Sequence, residues 1–176
     1  MGDFSQLAAA SGHLEAAKLL LDLGAVIVST DRSGYTAVHW ALTSGDQETI
    51  TYFLKRSDRE KNTLRGASDI ALLNVAAAAG EWDACQHLLS RGDEINVADG
   101  SGRMPLHAAV AANRPAVAKA LIARGAKMTL LDREGRSPLW ISVGMFMNSL
   151  QQRTSLTNSF SKRCNTMCTI VIGIWL

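Results

Sequence analysis

Residues 104–109 read Met104-Pro105-Leu106-His107-Ala108-Ala109, and this stretch begins a unit that recurs along the chain. The unit continues to Leu121-Ile122 and ends at Gly125-Ala126. Three earlier copies share its small residues and its paired apolar residues. The marker positions of the four copies are Gly12, Gly45, Gly80 and Asn113, separated by 33, 35 and 33 residues. A period near 33 residues fits a turn followed by two short helices, so the sequence predicts a solenoid of stacked repeats.

The residues around the repeated unit have the chemistry that turns and helix ends require. Asp31–Gly34 and Asp99–Gly102 are rich in turn-forming residues. Thr36 is expected to cap the helix that follows it, and Pro105 is expected at a first helical position, where its missing N–H costs nothing. Second helices are expected to end in left-handed glycines, at Gly24, Gly92 and Gly125. These local signals agree with the period.

The stretches 36–41 and 104–109 resemble the T-P-L-H-x-A signature of ankyrin repeats, and Ser137-Pro138-Leu139-Trp140 is a weaker copy. The resemblance covers roughly residues 4 to 145. It implies an all-α ankyrin-repeat solenoid, built of four to five helix-turn-helix units with β-hairpin fingers, in which the first and last units are incomplete.

The expected repeat domain comprises residues 1–147, divided at about 1–30, 31–63, 64–98, 99–131 and 132–147. The first copy begins inside its first helix, the fifth lacks a second helix, and the third is expected to have a reshaped finger near residues 65–74. Residues 148–169 are rich in Ser, Thr, Asn and Gln, and this composition predicts that residues 148–176 form a disordered tail.

Composition and charge exclude several classes of protein. The three cysteines form no disulfide framework, and no basic flank and apolar run begins the chain, so we expect a cytoplasmic or nuclear location. Through Glu134 the chain has 14 Lys or Arg and 16 Asp or Glu, which gives a net charge of −2. The residues from Gly135 onward have four Lys or Arg and no acidic residue, which gives a net charge of +4. A nearly neutral body predicts no general nucleic-acid binding, and we expect a monomer.

None of the potentially reactive side chains forms a catalytic or metal-binding pattern, so we expect no enzyme activity, no cofactor and no metal. His39 and His107 fall at the signature position, where the resemblance implies hydrogen bonds between neighbouring loops. His13 is expected to be structural, His87 to lie in solvent on a second helix, and Cys85 to be buried. Cys164 and Cys168 lack the further ligands that zinc requires.

The tryptophans have two interpretations each. Trp40 and Trp140 are expected to pack between repeats, with partial exposure on the concave face as the alternative. Trp82 begins a second helix and is either a packing residue or a half-exposed anchor for a partner.

The resemblance to ankyrin repeats implies an intracellular protein-interaction module or adaptor that binds through hairpin tips and the concave face of the first helices. Because several finger positions are arginines, whose planar fork binds carboxylates, we expect a partner with an acidic surface; the alternative is that these arginines, beside Asp31, Asp99 and Asp132, are simply solvated. The predicted partner-binding residues are Arg32, Ser33, Tyr35, Thr43, Ser44, Ser101, Arg103, Arg133, Glu134 and Arg136.

Two other functions remain open at this stage. The chain is alternatively the ankyrin-repeat portion of a larger channel, enzyme or scaffold, or a protein that docks weakly on a membrane surface through its basic C-terminal tail.

Asn96 stands where many ankyrin repeats carry a hydroxylated asparagine, and the resemblance therefore makes it a candidate modification site. The alternative is that its side chain ties the turn between repeats.

Overall fold

The computed structural model describes residues 4–59 and 71–144. The predicted disordered tail, the reshaped third finger and the missing second helix of the fifth copy lie outside these residues or at their border. The described part is a series of helix pairs joined by turns. The helices are α1 Phe4–Ala10, α2 Leu14–Asp22, α3 Ala37–Ser44, α4 Gln47–Arg59, α5 Leu72–Ala79, α6 Trp82–Ser90, α7 Pro105–Ala111 and α8 Pro115–Ala123, and residues 138–144 are also helical.

The helix ends follow the local chemistry of the sequence. Thr36 is the N-cap residue of α3 and has an extended backbone, and its own N–H donates to His39 Nδ1 at 3.1 Å, which is one bond of a capping box. Pro105 is the first residue of α7, as predicted. The glycines expected to end the second helices, Gly24, Gly92 and Gly125, all have positive φ. Asn113 also has a positive φ, of 54°, at the position that glycine occupies in the other copies.

The helix pairs stack side by side and bury one continuous core. The first helices of successive pairs, α1, α3, α5 and α7, pack against one another in series, while α2 packs on α4 and α4 on α6. Each helix presents a stripe of small and aliphatic residues at helical spacing to this stack. The largest of the fully buried apolar side chains are Phe53, Ile27, Leu42, Ile50, Leu73, Leu88 and Leu121.

The segments that precede the first helices are tight turns. In the second unit the Asp31 N–H donates to the Tyr35 carbonyl at 2.9 Å, and the Gly34 N–H donates to the Asp31 carbonyl at 3.1 Å. Residues 99–103 and 132–136 repeat both bonds. Residues 4–59 and 71–144 contain no strand, so the expected β-hairpins are absent from them. The two hydrogen bonds of each turn join residues at most four positions apart, and no further pairs of backbone hydrogen bonds continue them into a hairpin. We call these three turns finger 2, finger 4 and finger 5.

Candidate partner-binding surface

An aspartate at the start of each finger holds the main chain of the turn in place. Asp31 Oδ1 accepts the N–H groups of Ser33 and Tyr35 at 2.8 and 2.9 Å. Asp99 does the same in finger 4 and Asp132 in finger 5, with distances between 2.8 and 3.0 Å. The main chain of each tip is therefore ordered by its own aspartate, whatever the side chains at the tip do.

The electrostatics of two of these aspartates reflect that role. Partial burial acts to raise the pKa of Asp31, but hydrogen bonds from the Tyr35 and Ser33 N–H groups and from the Trp40 indole outweigh it, so the pKa lies below 3.8. Burial likewise acts to raise the pKa of Asp132, and bonds from Arg136 and Glu134 lower it below the same ordinary value. Both carboxylates are therefore charged at neutral pH.

The four finger arginines occupy two different environments. Arg32 and Arg133, each next to the finger aspartate, are exposed at the tips, and neither makes an ion pair with the described part of the chain. Arg103 and Arg136, four residues after the aspartate, instead fold back onto it. Arg136 Nη2 lies 2.8 Å from Asp132 Oδ2, and the corresponding distance for Arg103 and Asp99 is 3.3 Å.

This difference affects the predicted acidic preference of the fingers. The Arg136 guanidinium also pairs with Glu134 at 2.6 Å, and its side chain is only 30% exposed. Arg103 is 47% exposed. The charges of these two arginines are largely balanced within their own turns, so among the finger arginines only Arg32 and Arg133 are exposed without an ion pair to residues 4–59 or 71–144.

The remaining predicted contact residues fall into an exposed group and a packed group. Ser33, Ser101, Glu134 and Thr43 are exposed. Tyr35 packs against the core, with its ring 5.4 Å from that of His39 and 5.3 Å from that of Trp40.

Ser44 is half-buried, and its hydroxyl is occupied because it donates to the Ala41 carbonyl and accepts the Asp46 N–H. Tyr35 and Ser44 therefore contribute to the structure under the finger surface and are less available than the exposed residues for contact with a partner.

Fingers 4 and 5 are joined directly. The Arg133 N–H donates to the Ser101 carbonyl at 3.1 Å, so the two tips lie against each other. Gly102 makes this approach possible, since a Cβ built there would lie 2.9 Å from the Arg133 nitrogen, and its φ of 73° also favours glycine. The exposed residues of both fingers thus form one edge, although 33 positions separate Gly100 from Arg133.

Side chains at the signature position link three of the first helices, α1, α5 and α7, to the finger that follows each of them. His107 accepts the Met104 N–H at Nδ1, and its Nε2–H donates to the Arg136 carbonyl at 3.0 Å. The interpretation of His107 as a residue that ties neighbouring loops is confirmed. Gln6 and Asn74 hold the equivalent positions in their copies, with amide nitrogens 3.5 and 2.6 Å from the carbonyls of Tyr35 and Arg103.

Sequence reasoning missed the roles of Gln6 and Asn74 because neither residue is a histidine. Their spacing carried the signal: positions 6, 39, 74 and 107 follow the same period as the markers, 33, 35 and 33 residues apart.

The outer side of α6 holds a polar cluster that the sequence did not reveal. His87 is half-buried, and its Nε2 lies 2.9 Å from Asp58 Oδ2 of the preceding repeat. The expectation that His87 is simply solvated is wrong, because stacking brings α4 alongside α6. Arg91 lies in the same cluster, 3.6 Å from Asp58 and 2.9 Å from Asp93.

Cys85 is fully buried, as predicted. Burial in apolar surroundings raises the pKa of its thiol to about 12, so it is protonated and unreactive at neutral pH.

The tryptophans have different surroundings. Trp40 is half-buried and donates its indole N–H to Asp31 Oδ2 at 3.0 Å, which fits the packing interpretation. Trp82 is covered by the Arg124 guanidinium, 4.8 Å from its ring centre, and packs against the core. Trp140 is left 62% exposed by the described part of the chain, so the expectation that it packs between repeats is wrong for this residue.

The side chain of Asn96 joins the turns of two neighbouring repeats, as its structural interpretation predicted. Its side-chain oxygen accepts the Lys127 N–H at 3.0 Å, which ties the turn after α6 to the turn after α8.

Within residues 4–59 and 71–144, no group of three or more His, Cys, Asp or Glu side chains is placed to hold a metal ion. The helices of these same residues include none that is both long and apolar enough to span a bilayer.

Stacked helix pairs, a single core and fingers anchored to the preceding helix define a helical-repeat solenoid of the protein-binding class. A family model for ankyrin repeats in three copies matches residues 5–64 and 73–151, well over half of the sequence. The chain belongs to the ankyrin-repeat family, whose domains are generally non-catalytic modules for protein–protein interaction.

Proposed function

We propose that this protein is an intracellular adaptor that binds a partner protein through its finger tips and the adjoining concave face of its first helices. The proposal is supported above all by the contrast within each finger: the main chain is held by an aspartate, while the side chains of Arg32, Ser33, Ser101 and Arg133 are exposed. A preorganised loop loses little conformational entropy on binding. Exposed side chains on such loops are suited to recognition.

The partner surface that fits these tips is acidic. Arg32 and Arg133 offer guanidinium groups free of ion pairs with the described residues, and a carboxylate binds such a group with two parallel hydrogen bonds. Arg103 and Arg136 are held by Asp99 and Asp132, so they contribute mainly by shaping the tips. Recognition by two outward arginines also steers association through long-range attraction.

The test compares the full-length chain as bait with a variant that carries Arg32→Glu and Arg133→Glu. The control is Lys119→Glu, a charge reversal at an exposed position on α8 away from the fingers. We expect the double variant to lose the partners that the wild type captures from cell extract, while the control retains them.

For a partner identified in this way, the association rate is then measured against salt concentration. It should fall as salt rises for the wild type, and much less for the double variant, since screening weakens exposed charges. Equal capture by the wild type and the double variant would remove the fingers as the binding surface.

A further inference from the structure

Fingers 4 and 5 have the same main-chain turn but carry different side chains at one exposed position. Ser101 and Glu134 are each the second residue after the finger aspartate, and in both fingers the aspartate Oδ1 accepts their N–H, at 2.8 and 3.0 Å. The glycine that follows has a φ of 73° in both fingers. A serine hydroxyl therefore stands in finger 4 where finger 5 has a carboxylate.

The carboxylate of finger 5 shows what an acidic group does at this position. Glu134 Oε2 lies 2.6 Å from Arg136 Nη1, while Arg136 Nη2 lies 2.8 Å from Asp132 Oδ2. One guanidinium thus pairs with two acidic groups. A second negative charge is therefore accommodated beside the finger aspartate.

Finger 4 has the same arginine but lacks the second acidic group. Arg103 Nη2 lies 3.3 Å from Asp99 Oδ2, and the Arg103 side chain is more exposed than that of Arg136, at 47% against 30%. Phosphoserine has as many bonds between its Cα and its terminal oxygens as glutamate has. A phosphate on Ser101 would therefore reach Arg103 as the carboxylate of finger 5 reaches its own arginine.

A second guanidinium comes from the neighbouring finger. The Arg133 N–H donates to the Ser101 carbonyl at 3.1 Å, and Arg133 Cγ would lie 3.0 Å from a Cβ built on Gly102. The stem of Arg133 thus lies against finger 4, and its exposed side chain makes no ion pair with residues 4–59 or 71–144. A phosphate that is placed between two guanidinium groups gains charge-assisted hydrogen bonds from both.

The Ser101 hydroxyl is accessible to a modifying enzyme. Its side chain is exposed at the tip, and the turn is held by Asp99, which accepts the N–H groups of Ser101 and Arg103. By contrast, the hydroxyl of the exposed Ser90 donates to the His87 carbonyl at 2.8 Å. Modification of Ser101 would therefore leave the bonds that order finger 4 intact.

We propose that Ser101 is a phosphorylation site whose phosphate is clamped by Arg103 and Arg133. A protein kinase would catalyse attack of Ser101 Oγ on the terminal phosphorus of a nucleoside triphosphate. The new O–P bond replaces the bond to the bridging oxygen, the nucleoside diphosphate leaves, and the hydroxyl proton passes to a base of the kinase. The clamp depends on fingers 4 and 5 alone and requires no partner protein.

The clamp is tested on the full-length chain with phosphoserine incorporated at Ser101, by phosphorus NMR during a pH titration. Guanidinium groups nearby favour the dianion, so we expect the proton affinity of this phosphate to be about ten-fold lower than that of a phosphate at Ser33. Ser33 is the matched control, because it has the same place in finger 2 but is followed two residues later by Tyr35 and not by an arginine.

Two arginine variants show whether the clamp is responsible. Arg103→Gln and Arg133→Gln should each restore part of the proton affinity at Ser101, and together most of it. Lys119→Gln removes an exposed charge on α8 away from the fingers and should leave the titration unchanged. Equal titration of the phosphates at Ser101 and Ser33, or no response to either arginine variant, would overturn the clamp.

The modification itself is tested by incubating the full-length chain with cell extract, ATP and phosphatase inhibitors. Cleavage after Arg91 and Arg103 releases residues 92–103, in which Ser101 carries the only hydroxyl group, so mass spectrometry assigns a phosphate there without ambiguity. We expect this peptide to gain one phosphate. An unmodified peptide would overturn the assignment of Ser101 as a phosphorylation site.

A clamped phosphate would also regulate the fingers, a consequence that rests on the proposed function. It would engage Arg133, one of the two arginines offered to an acidic partner, and should slow association with that partner by about ten-fold. A phosphate that titrates as expected while association is unchanged would remove Arg133 from the partner surface and leave the clamp established.

Discussion

The side-chain amide of Asn74 donates a hydrogen bond of 2.6 Å to the main-chain carbonyl of Arg103, the same carbonyl that accepts the Asp99 N–H to close finger 4. Finger 5 repeats the arrangement, since the Arg136 carbonyl accepts both the Asp132 N–H and His107 Nε2–H. A single oxygen thus closes each turn and anchors it to the preceding first helix. The position of a finger is coupled in this way to the stacking of the repeats.

Replacing His107 should destabilise the stack. His107→Leu leaves the Met104 N–H without its acceptor and removes one of the two bonds to the Arg136 carbonyl. We expect the free energy of unfolding to fall by about 1–3 kcal/mol, as measured by urea denaturation. His107→Gln should lose less, because the Gln6 amide at the equivalent position reaches the Tyr35 carbonyl at 3.5 Å, beside a shorter bond to the Ser29 carbonyl at 2.8 Å. Replacement of the exposed His13 by Ala is the control; a loss as large as that of His107→Leu would contradict this account.

Two glycine substitutions separate backbone strain from crowding. Gly125 has a φ of 92°, and a Cβ added there has no neighbour within 4 Å. Gly125→Ala should therefore lower the free energy of unfolding only by the left-handed backbone penalty, about 1–2 kcal/mol. Gly102→Ala adds a contact of 2.9 Å with the Arg133 nitrogen and should cost more. Thermal unfolding of both variants tests the order. Equal losses of stability in the two variants would mean that fingers 4 and 5 can move apart without a loss of free energy.

Acid should weaken the fold through the finger aspartates. The folded-state pKa values of Asp31 and Asp132 lie below the ordinary 3.8, so folding favours their charged forms. That stabilisation is complete above the unfolded-state value and is lost as pH falls through the lower folded-state values. Urea unfolding between pH 6 and pH 2 should therefore show a decline that begins near pH 4. Asp132→Asn should flatten the decline, and an unchanged slope in this variant would exclude Asp132 as a contributor.

Cys85 should resist thiol reagents until the protein unfolds. Its pKa of about 12 and its complete burial leave almost no accessible thiolate. In a chain with Cys164→Ser and Cys168→Ser, we expect a chromogenic disulfide reagent to react at the rate of unfolding and to become independent of reagent concentration. Fast labelling of the native protein would show that α6 opens locally.

Asn96 remains a candidate for hydroxylation by an asparagine hydroxylase. Its side-chain oxygen is bound to the Lys127 N–H, so the turn has to open before an enzyme can reach the residue. We expect mass spectrometry to detect one added oxygen after incubation with such an enzyme, and faster modification of a peptide than of the folded chain. No added oxygen in either substrate would end the hypothesis.

The sequence by itself determined the repeat, its helix pairs and its turn chemistry. Thr36, Pro105 and the helix-ending glycines act through bonds within a few residues, or through their own backbone preference, and such local preferences need no knowledge of the stack. The period placed His107 at a position that the family uses to join loops, and the structure confirms this role.

Only the tertiary structure decided which side chains are free and which are engaged. Arg32 is adjacent to its finger aspartate and Arg103 lies four residues after its own, and in the folded chain only Arg103 folds back onto the carboxylate. His87 is engaged because stacking brings Asp58, 29 residues earlier, within 2.9 Å. The pairing of His87 with Asp58 depends on the register between neighbouring helices, a property that is set by the packing of the whole core and that no short stretch of residues encodes.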